Sequence, residues 1–160
     1  MSTDLNGWHP GEIAVQRKLG YEDAVRTSWQ LNVNFMREQH RIFHTSNLPF
    51  IPVLTLDDSG RPWGSILAGQ GGQIGFVKSP DSQTLIARVE TWKGDPVHQT
   101  CGAWLAQKPV GQLDDRYLIA GIGIEFSTRR RNKFAGWISG VNRTGYLGYE
   151  LTFRVNQALG

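Results

Sequence analysis

The clearest alternation in the chain lies near its end. Leu147, Tyr149, Leu151, Phe153 and Val155 alternate with Gly148, Glu150, Thr152 and Arg154, the period of two that gives a strand one apolar and one polar face. Asn142-Arg143-Thr144-Gly145 supplies the turn before it. Residues 50–56 are apolar and carry the β-branched Ile51, Val53 and Thr55. The turn cluster Asp57-Asp58-Ser59-Gly60 follows, and 62–68 resumes an extended run, so the two segments predict a β-hairpin. Pro52 cannot donate to a ladder, which argues for an edge position or the start of the strand. Gly69, Gly71 and Gly72 mark a loop, and 84–89 is a further strand after the turn Ser79-Pro80-Asp81. Residues 117–126 form an unusual strand. Ile122, Ile124 and Phe126 point to one face; Gly121 and Gly123 point to the other and leave it bare. Glycine inside a strand often marks the close approach of a backbone or a ligand.

The first fifty residues follow another rule. His9-Pro10-Gly11-Glu12 opens a helix that runs to Leu19 and is closed by Gly20. A second helix is expected after Asp23, with Phe35, Met36, Gln39 and Phe43 at three-to-four spacing, ending at Asn47-Leu48-Pro49. Residues 92–115 have weak periodicity and several Gly and Pro, and read as loop with one helical turn. No repeat and no second domain is visible.

Composition sharpens this picture. The 160 residues suffice for one domain with a core. Nineteen Gly and six Trp favour a turn-rich β protein over a helical bundle. A net charge of +3 does not imply nucleic acid. A single cysteine, Cys101, excludes an internal disulfide and fits a reducing compartment. There is no signal-peptide pattern and no membrane-spanning apolar run. A soluble, cytoplasmic protein that binds neither nucleic acid nor membrane is expected.

Candidate chemistry concentrates at Ser127-Thr128-Arg129-Arg130-Arg131-Asn132-Lys133, directly after the glycine-bearing strand. Two hydroxyls followed by three guanidinium groups suit a phosphate, since arginine donates a planar fork of hydrogen bonds. A flat ligand on the bare face would then reach its phosphate at the strand's end. The competing reading is a solvated basic turn; a nucleic-acid patch is a weaker third, with no basic stripe elsewhere. His40 and His44 fall one helical turn apart, but no carboxylate or Cys is placed to complete a metal site, and a structural role is expected. Cys101 has no base nearby in sequence and is not expected to be a nucleophile. Trp63, Trp92, Trp104 and Trp137 could stack on a flat ring ligand, Trp63 being best placed; core or interface is the commoner role for tryptophan. The glycines at 69, 71 and 72 precede no helix and are not a nucleotide fingerprint.

Two stretches carry a resemblance. Residues 55–69, Thr55-Leu56-Asp57-Asp58-Ser59-Gly60-Arg61-Pro62-Trp63-Gly64-Ser65-Ile66-Leu67-Ala68-Gly69, resemble the first hairpin of the pyridoxamine 5′-phosphate oxidase-like proteins. Gly121-Ile122-Gly123-Ile124-Glu125-Phe126-Ser127-Thr128-Arg129-Arg130-Arg131-Asn132-Lys133-Phe134-Ala135-Gly136 resembles the strand and turn that hold the FMN phosphate there. Gly7-Trp8-His9-Pro10-Gly11-Glu12 and Leu48-Pro49-Phe50-Ile51-Pro52-Val53 resemble a subgroup found as the leading module of flavin and iron–sulfur reductases. The resemblance implies a mainly β, six-stranded antiparallel split barrel (48–160) with an N-terminal helical segment (1–47) packed on it. It also implies a homodimer with FMN at the subunit interface and a small-molecule substrate or electron donor. Residue by residue, it places Ser65, Ile66, Leu67 and Ala68 beside the flavin ring, Gly123 and Ile124 on its other side, and Thr128, Arg129 and Arg130 on the phosphate. Gln157 would meet the ring's polar edge.

The chain departs from the family at three places. The oxidase has an arginine at the position of Ser65, a lysine at that of Gln70, and a C-terminal substrate signature without counterpart here. Pyridoxamine-phosphate oxidation is therefore not expected, and the ending at Gly160 suggests a truncated domain. Three functions stay open: an FMN-dependent oxidoreductase of unknown substrate, a non-catalytic flavin or electron-relay module, and a basic interaction protein with no cofactor. Haem or a deazaflavin in place of FMN is compatible with the wider fold.

Overall fold

Backbone pairing organises the molecule around one antiparallel sheet. A computed structural model describes residues 7–107 and 117–160. Its strands are β1 (Phe50–Leu56), β2 (Pro62–Ala68), β3 (Val77–Lys78), β4 (Thr84–Glu90), β5 (Leu118–Glu125), β6 (Arg130–Arg143) and β7 (Gly148–Leu159), in the order β2-β1-β5-β6-β7-β4-β3. β2 and β4 touch although they share no hydrogen bonds, so the sheet curls into a half-barrel. Among the described residues the strands number seven, not six. The extra one, β3, pairs only Val77 with Ala87 and Lys78 with Ile86, too short a run to leave an alternation in the sequence.

The hairpin of β1 and β2 forms in the expected register, Phe50 opposite Ala68 through Leu56 opposite Pro62. Asp57 builds its turn. One carboxylate accepts from the Ser59 and Arg61 amides, the Arg61 guanidinium and the Trp63 indole. β1 is not an edge strand, because β5 pairs with its other side. Pro52 is tolerated because the β1–β5 pairs run only from Val53 to Thr55, beyond the proline.

Four α-helices accompany the sheet among the described residues: α1 (Pro10–Leu19), α2 (Glu22–Val25), α3 (Glu38–Ser46) and α4 (Pro96–Gln107). α1 has the expected ends. The His9 ring accepts from the Gly11 amide, the Glu12 carboxylate accepts from the His9 amide, and Gly20 closes the helix in the left-handed conformation. The single helix expected after Asp23 is instead broken. α2 is one turn, Ser28–Leu31 is a 3-10 turn, and Val33 bridges to Ala158 in an extended stretch. Tertiary bonds override the helical spacing here. Val33 exchanges backbone hydrogen bonds of 2.9 and 2.7 Å with Ala158, and the Met36 amide bonds Ser82 at 2.7 Å while its side chain enters the core. Beyond the 3-10 turn, only 38–46 remain helical.

The region read as loop with one helical turn contains the twelve-residue α4. The Asp95 carboxylate caps it, accepting from the Val97 amide at 2.7 Å, with Pro96 at the first helical position. Val97 and Cys101, four apart, are buried, and Trp104 packs against the core. Residues 108–115 of the expected loop lie outside the described residues.

The core collects one face of every long strand: Ile51 and Val53, Leu85 to Val89, Ile119, Phe134 and Ile138, and Tyr149 to Val155. The glycine face of β5 belongs to it. The Phe134 ring fills the space a side chain on Gly121 would need, and a Cβ on Gly123 would stand 2.8 Å from the Phe43 ring and 3.1 Å from the His44 ring. The close approach that glycine signals is therefore aromatic packing. The face is covered from within, not left bare for a ligand, and Ile122 and Ile124 point the other way.

Candidate functional site

The outward face of the sheet carries a groove of about 730 Å³. Its floor is apolar: Pro52 and Leu54 from β1, Gly64 and Ile66 from β2, Ala120 and Ile122 from β5, Ala135 from β6 and Leu159 from β7. Alternation produces this surface, because the residues between these face the core. Polar groups are few. Lys133 and Gln157 stand on adjacent strands, and Asn32 reaches the rim from the segment that crosses β7. Leu54 and Ile66 are each 47% exposed, so the chain by itself leaves a broad oily surface in water.

Of the residues expected at the cofactor, Ser65, Ile66 and Gln157 meet in this groove. The Ser65 hydroxyl is engaged elsewhere: it donates to Asp95 at 2.9 Å, fastening β2 to the cap of α4. Leu67 points into the core. Ala68 lines a different cleft of about 1190 Å³, walled by the glycine-rich loop 69–75 and the β6–β7 turn. Gly123 faces the core, and Ile124 lies on the outward face beyond the groove's lining.

Thr128, Arg129 and Arg130 sit on the exposed turn at the tip of the β5–β6 hairpin, outside the groove. Arg129 adopts a left-handed conformation, φ 60°. Thr128 donates to the Glu125 carboxylate, which also accepts from Asn47 at 2.7 Å. These two hydrogen bonds hold the Glu125 carboxyl below its ordinary pKa. Arg130 is turned toward α3. It donates to the Gln39 carbonyl at 3.1 Å, and its guanidinium lies 4.8 Å over the Phe43 ring. Arg130 thus ties the turn directly to α3, while Thr128 is joined to the end of α3 only through Glu125 and Asn47.

Sequence reasoning missed the groove's floor and its cation. Lys133 pairs with Ile122, and Arg131 with Ile124. Period two puts both basic side chains on the outward face with Ala135. Extending that alternation through 130–137 places them on that face, a signal that the contiguous basic run 129–133 masks. Neither has a hydrogen bond or ion pair among the described residues.

The remaining candidates take structural roles. Cys101 is fully buried, and burial pushes its thiol up to about 12. Among the described residues no three His, Cys, Asp or Glu groups gather to hold a metal. Trp63 donates to Asp57 at 3.0 Å on the hairpin turn and lies outside the groove. No helix is long and apolar enough to cross a membrane among the described residues.

The curled antiparallel sheet with helices packed on it is a split-barrel fold also seen in solved structures. Two such structures share it. One is the crystal structure of HupZ from Group A Streptococcus, 14% identical, with 77% of this chain and 92% of that chain covered and a TM-score of 0.51. The other is an F420 reductase, 9% identical, with 77% and 98% covered and a TM-score of 0.50. No protein-family model matches the chain, and no curated protein matches it.

Proposed function

We propose that the chain is a flavin-binding split-barrel protein of oxidoreductase type, with FMN as its cofactor. The observation that carries this reading is the outward groove itself: an apolar floor on five adjacent strands, with an unpaired cation at one side. An isoalloxazine ring would lie on Ile66, Ala120 and Ile122. Gln157 would face its polar edge. Arg131 stands two residues beyond Lys133, about 6.7 Å along β6, so a phosphate tail running toward the hairpin tip would meet Lys133, Arg131 and then Arg129. Thr128 and Arg130 would shape the turn through Glu125 and α3.

Among the described residues, Lys133 is the only titratable side chain lining the groove. That suits a site where the cofactor supplies the redox chemistry and the protein binds, orients and excludes water. A second copy covering Leu54 and Ile66 would remove the exposed apolar surface and close the groove, consistent with the homodimer that the family resemblance implies. That one structure sharing the fold is named an F420 reductase agrees with a reductase-type activity.

The test is spectroscopic. Purified protein, or protein mixed with FMN, is expected to show bound-flavin absorbance near 450 nm, and mass spectrometry of the released ligand identifies it as FMN rather than haem or a deazaflavin. Protein that stays colourless with FMN added removes the reading. Anaerobic reduction by NADH or NADPH separates an enzyme from a passive carrier.

A further inference from the structure

The inner face of α3 carries His40 and His44, one helical turn apart and each 1% exposed. None of their four ring nitrogens has a hydrogen-bond partner of normal geometry among the described residues. Around them stand the Phe43 and Phe134 rings, the latter edge-on to His44 at 5.4 Å, and the notch left by Gly123 on β5. From β6 comes Asn132, 1% exposed with its amide nitrogen unpartnered; from the end of β7, the backbone of Gly160 approaches His40.

Arg37 at the head of α3 and Arg130 from β6 disfavour a proton on His40, whereas the Gly160 backbone at the end of β7 favours one; at His44 the opposing groups are His40 and Arg130. Glu125 on the same hairpin is engaged by Asn47 and Thr128. Glu38 is paired with Arg41 at 2.8 Å on the outer side of α3, and Lys78 of β3 is exposed. A proton on His44 would therefore be buried beside Arg130 and His40 with no acidic group among the described residues facing it, while one on His40 would meet the Gly160 backbone on one side and Arg37 and Arg130 on the other.

We propose that His40 and His44 form an acid-operated latch: neutral, they let α3 seat in the Gly123 notch; protonated, they drive α3 off the β5–β6 hairpin while the sheet beneath stays folded. The paired strands carry most of the fold's long-range contacts, whereas α3 touches the sheet at few places, so it can open as a local unit. Its departure also frees the hairpin tip, because Gln39 holds Arg130 and Asn47 holds Glu125.

The direction follows from linkage. Burial first lowers both imidazoles below 6.5, His44 to about 4; Arg37 adds to it at His40, against the Gly160 backbone, and His40 and Arg130 add to it at His44. The folded state thus binds fewer protons than the opened one. The stabilisation is complete above about pH 6.5 and is lost as pH falls toward 4. From His44 alone, opening at pH 5 is favoured about thirty-fold over pH 7.5.

Hydrogen–deuterium exchange of the ligand-free chain, corrected for intrinsic rates, reads this directly. Between pH 7.5 and 5.0, peptides covering 37–47 are expected to lose about thirty-fold protection, while those covering 85–90 and 149–155 keep theirs. The double variant His40→Phe, His44→Phe should abolish the selective loss. Uniform loss across all peptides, or none, overturns the latch. Should that variant fail to fold, imidazole NMR of the unaltered chain decides: either ring titrating reversibly near 6.5 with α3 still protected overturns it. Because no flavin is present, this outcome is separate from that of the flavin reading.

Discussion

Gly121 and Phe134 are partners across the β5–β6 ladder, and the ring of one occupies the side-chain space of the other. Gly121→Ala therefore forces Phe134 off its rotamer in a packed core. The expected loss is about 1–3 kcal/mol in urea unfolding, with an unchanged m-value. Phe134→Leu in the same chain should recover part of it by vacating the contact.

A glycine with the opposite surroundings should behave in the opposite way. Gly102 lies inside α4, exposed, with nothing near the position of an added Cβ. Gly102→Ala is expected to raise stability by about 0.5–1 kcal/mol, chiefly by restricting the unfolded chain. The same urea titration measures it.

These two glycines show what was and was not legible in the sequence. Period-two alternation in 147–155 and the Asp57-to-Gly60 turn are local signals, and β7 and the first hairpin follow them. The run Gly121-Ile122-Gly123 was rightly read as a place of close approach, but a single sequence does not say whether a ring of the protein or a ligand approaches. α4 was hidden because Gly102 and a weak apolar pattern obscure a helix whose start depends on Asp95 accepting from Val97. The helix expected from Asp23 was broken by bonds from Val33 to Ala158 and Met36 to Ser82, partners far away in sequence. The groove is not legible in the sequence because its floor comes from five strands, and no contiguous stretch contains it.

Cys101 is expected to be inert in the native protein. It is fully buried, and burial, with Asp95 adding to it, holds the thiol protonated up to about 12. A thiol reagent such as DTNB should titrate less than a tenth of a thiol per chain at pH 8 within minutes, and one full thiol in denaturant. Rapid native reaction would reopen a nucleophilic role.

Asp57 gives the first hairpin an acid dependence. Hydrogen bonds from the Arg61 amide and the Trp63 indole lead the lowering of its pKa from 3.8. A lowered carboxyl pKa means the contribution is present above about pH 4 and lost as pH falls further. Asp57→Asn should lower the Tm at neutral pH and flatten the Tm profile below pH 4. This window lies under that of the α3 imidazoles, so the two transitions separate along one pH series.

The phosphate assignment can be divided between two sets of basic residues on one hairpin. Arg131 and Lys133 face outward beside the groove without partners, whereas Arg130 is committed to Gln39 and Phe43. Replacing Arg131 and Lys133 with Ala should weaken FMN binding roughly ten- to hundredfold, about one charge-assisted hydrogen bond of 1.5–3 kcal/mol. Riboflavin, which lacks the phosphate, should lose less than threefold. Arg130→Ala should instead lower stability by detaching the hairpin tip from α3, with the ratio of FMN to riboflavin affinity nearly kept. Isothermal titration of both ligands against the three proteins reads all of this at once. Equal losses for the two flavins in the double variant would place the phosphate elsewhere, and a changed ratio in Arg130→Ala would return it to the turn at the hairpin's tip.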